Sequence, residues 1–313
     1  MSRHRAAEPV ALTAVGYCGP GGALSGGALG SALVAHAPLA ALPGGALAGI
    51  ADTATLRRWL VRKKDRKLLA RAAELALCAF GPVVDAWPGP RESLGLFVGV
   101  GREPPDDGES EAALAASASE GRLDEAALAL RGRDLYPPLL PLKTLPNLVL
   151  AHVSINFGIG GPNNAVTGAA GAGLRALVQA IVCVQEGRAP AAVAGAADSQ
   201  VDLGSARDRL RLGASGPPGE AACAVLVEPL AAALARGAAV LAVVGAPCNP
   251  PETIIRGADH HAALGDLGVA DGAVAAVRAV LALGAGAPGP ILVTAADPGL
   301  PAERLVVGLP AAC

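Results

Sequence analysis

Apolar residues recur along this chain with two periods, and the switches between them predict alternating strands and helices. Residues 9–18, PVALTAVGYC, form a run of strand length, while residues 19–49 are a small-residue connection with no period. Between Thr53 and Phe80 the spacing becomes helical. Ser93–Gly101, SLGLFVGVG, alternates as a strand does. Residues 102–118 carry Pro104, Pro105, Asp106, Asp107 and Gly108 and read as an exposed loop. A helix follows around Asp124–Leu130, and another starts at Asn147.

From Gly160 to Ser199 the pattern is a Gly-rich turn, an apolar helix and a strand. Leu174, Leu177, Ile181 and Val184 share one helical face, and Gly187 supplies the left-handed cap position. AAVAGAADS is uniformly small and apolar, as a strand covered on both faces should be. Further on come a strand over Ala222–Glu228, a helix ending at Arg236 and Gly237, and a strand over Val240–Gly245. Such alternation predicts a layered α/β fold with crossover connections. No internal repeat is visible in the sequence itself.

With 52% apolar residues the chain can bury a large core, but aromatics make up only 2%, so Ala, Val and Leu must fill it through close backbone packing. A net charge of -2 gives no general attraction for nucleic acid or anionic lipid. Cys18, Cys78, Cys183, Cys223, Cys248 and Cys313 form no CxxC pair and read as reduced core residues of a cytoplasmic protein. The first residues lack a signal-peptide pattern, and 27–51 are too weakly hydrophobic and too broken by His36, Pro38 and Pro43 to span a membrane.

GPNNAVTGAAGAG followed by a helix, a Gly-Arg step and AGAADS is similar to the nucleophile-elbow region of the β-ketoacyl synthases, of the thiolase-like superfamily. KKDRKLLARAAELALCAF, the approach YPPLLPLKTLPNLVLAHVSINFGIGGPNN, and GEAACAVLVEPLAAALARGAAVLAVVGA resemble other segments of the same family. The resemblance implies an α/β, thiolase-like layered αβαβα fold of two related halves, residues 1–200 and a shortened 201–313. It places Gly161, Pro162, Asn163, Thr167, Gly168, Ala170 and Gly173 at the elbow or pocket, and residues 136–164 in a dimer interface.

Family enzymes carry a catalytic cysteine at a helix N-terminus and two histidines that assist decarboxylation. Ala170 stands at the cysteine position, nine residues after Gly161. For one histidine two registers compete: GDLGVADGAVAAVRAVLAL as the GHxxxAAG helix puts Asp266 there, with ILVTAADPGLPAERLVV as the closing hairpin, whereas ILVTAADPG as the strand entering HGTGT puts Ala296 there. The resemblance thus implies no catalytic residues and a chain-length-factor-like subunit that pairs with an active ketosynthase. The alternatives are a homodimeric scaffold that binds an acyl group or carrier protein, and an acyltransferase with unidentified catalytic residues.

Other chemistry is sparse. Arg57, Arg58, Arg62, Lys63, Lys64, Arg66 and Lys67 form the one dense basic cluster, either a solvated helix face or a docking patch for an acidic acyl carrier protein. His260 and His261 read as part of a polar connection or as a displaced catalytic or metal-binding pair. Only Asp259 is nearby in sequence, so neither metal nor cofactor is predicted. Thr167 and Ser199 have no assignable base, and Cys183 should face the core.

Overall fold

The computed structural model describes residues 8–309 except 41–46, 103–106, 212, 215, 246–250 and 252. Its principal elements are β1 (Val10–Cys18), α1 (Arg71–Asp85), β2 (Gly95–Val100), α2 (Asn147–Phe157), β3 (Asn163–Thr167), α3 (Ala172–Gln185) and β4 (Ala192–Ser199). After these come β5 (Glu220–Pro229), β6 (Ala242–Val244), β7 (Thr253–Arg256), α4 (Asp271–Gly284), β8 (Ile291–Ala295) and β9 (Glu303–Gly308).

The nine strands form one hydrogen-bonded sheet in the order β7-β8-β9-β6-β1-β5-β4-β2-β3. Two related groups are visible in it. In the first, β2 runs parallel to β4, then β5 and β1 follow antiparallel. In the second, β7 runs parallel to β8, then β9 and β6 follow antiparallel. Each group has one long helix immediately before its second strand, α3 before β4 and α4 before β8. The first group also has β3, paired parallel to β2 at the sheet's end; among the described strands the second group has no counterpart of it.

These groups fold about α3 and α4. One core lies between the two groups of strands, where Leu174, Leu177 and Ile181 of α3 and Val274, Val277 and Val280 of α4 meet Phe97, Val225, Ile291, Val293, Leu305 and Val307. A second lies on the far side of the first group, where Leu75, Phe80 and Val83 of α1 and Val149, Val153 and Phe157 of α2 cover Leu96, Val98, Val193 and Leu226. This is the thiolase-like layering of a mixed α/β fold. On the outer face of the second group Leu292, Thr294 and Val306 are only half-buried and Ile254 is exposed.

Small residues set the layer spacing. A Cβ on Gly99 of β2 would lie 2.7 Å from the Gly173 Cα of α3, and one on Gly173 would lie 2.8 Å from both the Ala196 Cβ and the Val269 oxygen. Helix and sheet therefore touch backbone to backbone, as a chain poor in aromatics requires.

Several expectations need correction. The helical spacing over Thr53–Phe80 is interrupted: Leu56–Trp59 is one helical turn, Lys63–Leu68 is a 3-10 stretch, and only Arg71–Asp85 is a long helix. Eight charged residues from Arg57 to Lys67 leave too few apolar positions to bury a continuous helix there. Residues 107–117, expected as loop, are helical, because ESEAALAAS is rich in helix formers once the prolines are passed. Helical structure around Asp124 runs on to Leu135 through a π-type turn. The strand over 240–245 shortens to Ala242–Val244.

Cys18, Cys78, Cys183 and Cys223 are buried free thiols; Cys248 and Cys313 lie outside the described residues. Among the described residues no helix is long and apolar enough to cross a membrane.

Candidate functional site

The elbow forms where β3 ends and the chain turns through Gly168–Gly171 into α3. Two of its glycines are closely hemmed in: a Cβ on Gly168 would lie 2.8 Å from Asp297 Oδ2, and one on Gly161 would press on the Leu94 carbonyl. Asn163 donates to the Gly161 oxygen at 3.2 Å and Asn164 to Gln179 at 2.8 Å, fastening the strand to the turn and to α3. Thr167 is exposed at the strand end, and Pro162 and Ala170 are half-buried. The Ala170 carbonyl accepts from Gly272 N at 3.1 Å, which ties the elbow to the head of α4.

One feature of this site has no signal in the sequence. Asp297, two residues past the end of β8, places Oδ1 2.7 Å from Gly171 N, the amide at the head of α3. Its Oδ2 lies 3.5 Å from Arg175, whose Nε donates to Glu303 at 2.8 Å. Asp297 is 8% exposed. A helix N-terminus attracts an anion through its free amides and its dipole. At the head of α3 a carboxylate of the chain itself already occupies that position.

The two candidate histidine positions have different surroundings. Asp266 is ion-paired with Arg209 and accepts from Gly268 N at 2.9 Å. Ala296 is exposed, beside the buried Asp297. Strand Ile291–Ala295 turns back antiparallel along Glu303–Gly308 as a hairpin, after the helix that Asp266 precedes by five residues.

A second polar cluster lies at the head of α4. His260 Nε2 is 2.8 Å from Asp271 Oδ1, and His261 Nε2 is 2.8 Å from Asp271 Oδ2. Leu267 N donates to the same Oδ1 at 3.1 Å. His260 is fully buried and the His261 side chain is 30% exposed. Burial alone would raise the Asp271 pKa, but the hydrogen bonds and charge of the two imidazoles hold it below the usual carboxylate range. Asp259, the acidic neighbour visible in sequence, instead accepts from Arg256 N at 2.8 Å.

Nearby, Asp198 at the end of β4 accepts from Ser199 N, Gln200 Nε2 and Val269 N at 2.8, 2.8 and 3.0 Å. Burial pushes its pKa up to about 7 against those three donors. Ser199 donates to Glu220 at 3.0 Å and Cys183 is buried in α3, so neither faces the elbow as a nucleophile.

The basic cluster is exposed throughout. Arg58, Arg62 and Arg66 pair with Asp85, Asp65 and Glu74, whereas Arg57, Lys63, Lys64 and Lys67 make no ion pair among the described residues.

Two solved structures share this fold. One is a chain of the ishigamide ketosynthase/chain length factor, with a TM-score of 0.72 at 18% identity, covering 98% of this chain and 100% of that one. The other comes from the AntDE:AntF complex, a type II polyketide synthase acyl carrier protein with its ketosynthase bound to the hexaketide; its TM-score is 0.70 at 12% identity, over 96% of this chain and 99% of that one. No curated protein sequence matches the chain. The model of the β-ketoacyl synthase N-terminal domain matches residues 66–241, more than half of the 313, and the chain belongs to the β-ketoacyl synthase family.

Proposed function

We propose that the chain is a catalytically silent β-ketoacyl synthase homologue that acts as a chain-length-factor-like partner of an active ketosynthase in polyketide or fatty-acyl synthesis. The observation that carries this reading is the state of the elbow. Ala170 offers no nucleophile, and Asp297 fills the amide position at the head of α3 where a thioester oxyanion would need donors. The hairpin after α4 favours the register with Asp266 at the histidine position, where it is bound to Arg209. Neither position then offers an imidazole.

Two surfaces support partnership. β3 is the last strand of the sheet and its outer edge is open among the described residues, with Asn163 and Asn164 exposed. On α2, which packs over β2 and β3, Ile155 is 66% exposed, and Leu135, Leu139 and Leu145 just before it are exposed too. An open edge beside apolar side chains suits a second subunit of the same fold. The free cations of Arg57, Lys63, Lys64 and Lys67 suit an acidic carrier protein. The structures that the chain resembles come from a ketosynthase/chain length factor and a carrier-protein complex, in keeping with both surfaces.

Co-expression with a ketosynthase encoded nearby, followed by measurement of complex mass and malonyl-dependent condensation, tests the proposal. A 1:1 heterodimer that condenses only with this chain present is expected. A homodimer that neither binds the synthase nor alters its products overturns it and leaves the scaffold reading.

A further inference from the structure

The geometry points to a divalent-metal site of the zinc type, formed by His260, His261 and Asp271 at the head of α4. One ligand atom from each residue lies within 4.8 Å of the others, and small side-chain adjustments would bring them to the separation of about 3.4 Å between ligand atoms bound tetrahedrally at about 2.1 Å. Both imidazoles already turn Nε2 toward one carboxylate. That carboxylate is held in place by Leu267 N, so the acidic ligand is preset.

Charge and access agree with a cation. Asp266 lies close enough to His261 to favour positive charge there, and Arg209, which opposes it, is ion-paired with Asp266. Two imidazoles with one carboxylate suit zinc and its first-row neighbours rather than magnesium or calcium, which take oxygen ligands. His260 Nδ1 has no hydrogen-bond partner among the described residues, so the tautomer that frees Nε2 for a cation exchanges the Nε2–Asp271 hydrogen bond for an unpaired buried N–H, a cost that the metal bond must exceed. The His261 side chain, 30% exposed, connects the cluster to solvent. The histidine pair is visible in sequence but its third ligand is not, because Asp271 lies ten residues beyond His261, across a turn and a 3-10 stretch. The proposal stands apart from the pairing with a ketosynthase.

The test uses the full chain, stripped with a chelator and titrated with zinc by calorimetry, then with cobalt while its visible ligand-field bands are recorded. About one equivalent should bind, with tetrahedral cobalt bands and a higher thermal midpoint. His261→Ala, which leaves the two buried partners in place, should weaken binding about 100-fold, whereas Asp259→Asn should leave it unchanged. Zinc should also slow diethylpyrocarbonate modification of the partly exposed His261 in the parent chain, a readout that requires no variant to fold. Equal zinc binding by parent and His261→Ala, absent cobalt bands, or unchanged histidine modification would each reduce the cluster to a hydrogen-bonded His–Asp–His bridge and overturn the proposal.

Discussion

The two central helices begin in opposite ways. At the head of α3 every local side chain is glycine or alanine, and the anion at the helix end, Asp297, comes from a hairpin 126 residues away. At the head of α4 the helix brings its own carboxylate, Asp271, and two imidazoles close over it. The Gly272–Ala170 hydrogen bond joins the two heads. The first head thus carries an ion-paired set, Asp297, Arg175 and Glu303, supplied largely from the distant hairpin, whereas the second carries a carboxylate of its own helix bridged by two imidazoles. Related topology therefore does not fix where the polar groups reside.

The contrast can be broken most strongly at α4. Asp271→Ala leaves His260 buried without its partner and Leu267 N without an acceptor, and should cost about 4 kcal/mol of stability in urea unfolding. A loss comparable to a surface substitution would show that the second head is not the better built.

Next in size is a pH effect. Asp198 titrates at about 7 when folded against a usual value of 3.8. Because its folded pKa is raised, its stabilisation is complete below pH 4 and is lost as pH rises toward 7, on the order of 4 kcal/mol in total. Asp198→Asn should flatten the stability profile across that window. A variant whose profile keeps the parent's slope would assign the slope to other groups.

Gly173→Ala tests the close packing of α3. The added methyl meets Ala196, Val269 and Ala273 within 2.9 Å, and overpacking of this kind costs about 2 kcal/mol. A neutral result would mean that α3 can move off the sheet.

The smallest effect concerns the first head itself. Ala170→Cys should place a thiol there that an electrophilic acyl mimic labels more than it labels the parent. Asp297→Ala in that background should speed labelling about tenfold, since removing a neighbouring carboxylate favours the thiolate. Labelling equal to the parent's would contradict the placement of the elbow, and a rate indifferent to Asp297 would separate that carboxylate from it.

Much of this could be read from the sequence where structure is local. The period of Leu174, Leu177, Ile181 and Val184 and the Gly187 cap mark α3, whose buried residues and left-handed Gly187 are as expected. Family membership and the layered fold rested on motifs of the same local kind. What escaped was long-range or set by competition. Nothing near Gly171 announces Asp297, and His260 and His261 seem partnerless until the turn over 265–270 returns the chain to Asp271. Composition also misjudged residues 107–117, where prolines and acids preceding a helix read as a loop.

The outer edge of β3, open among the described residues, turns abundance into a structural variable. Copies synthesised faster than that edge is covered display unpaired backbone donors and acceptors beside Ile155, the kind of surface that chaperones and proteases recognise. The cellular level of this chain should then follow the supply of whatever covers β3 rather than the rate of its own translation.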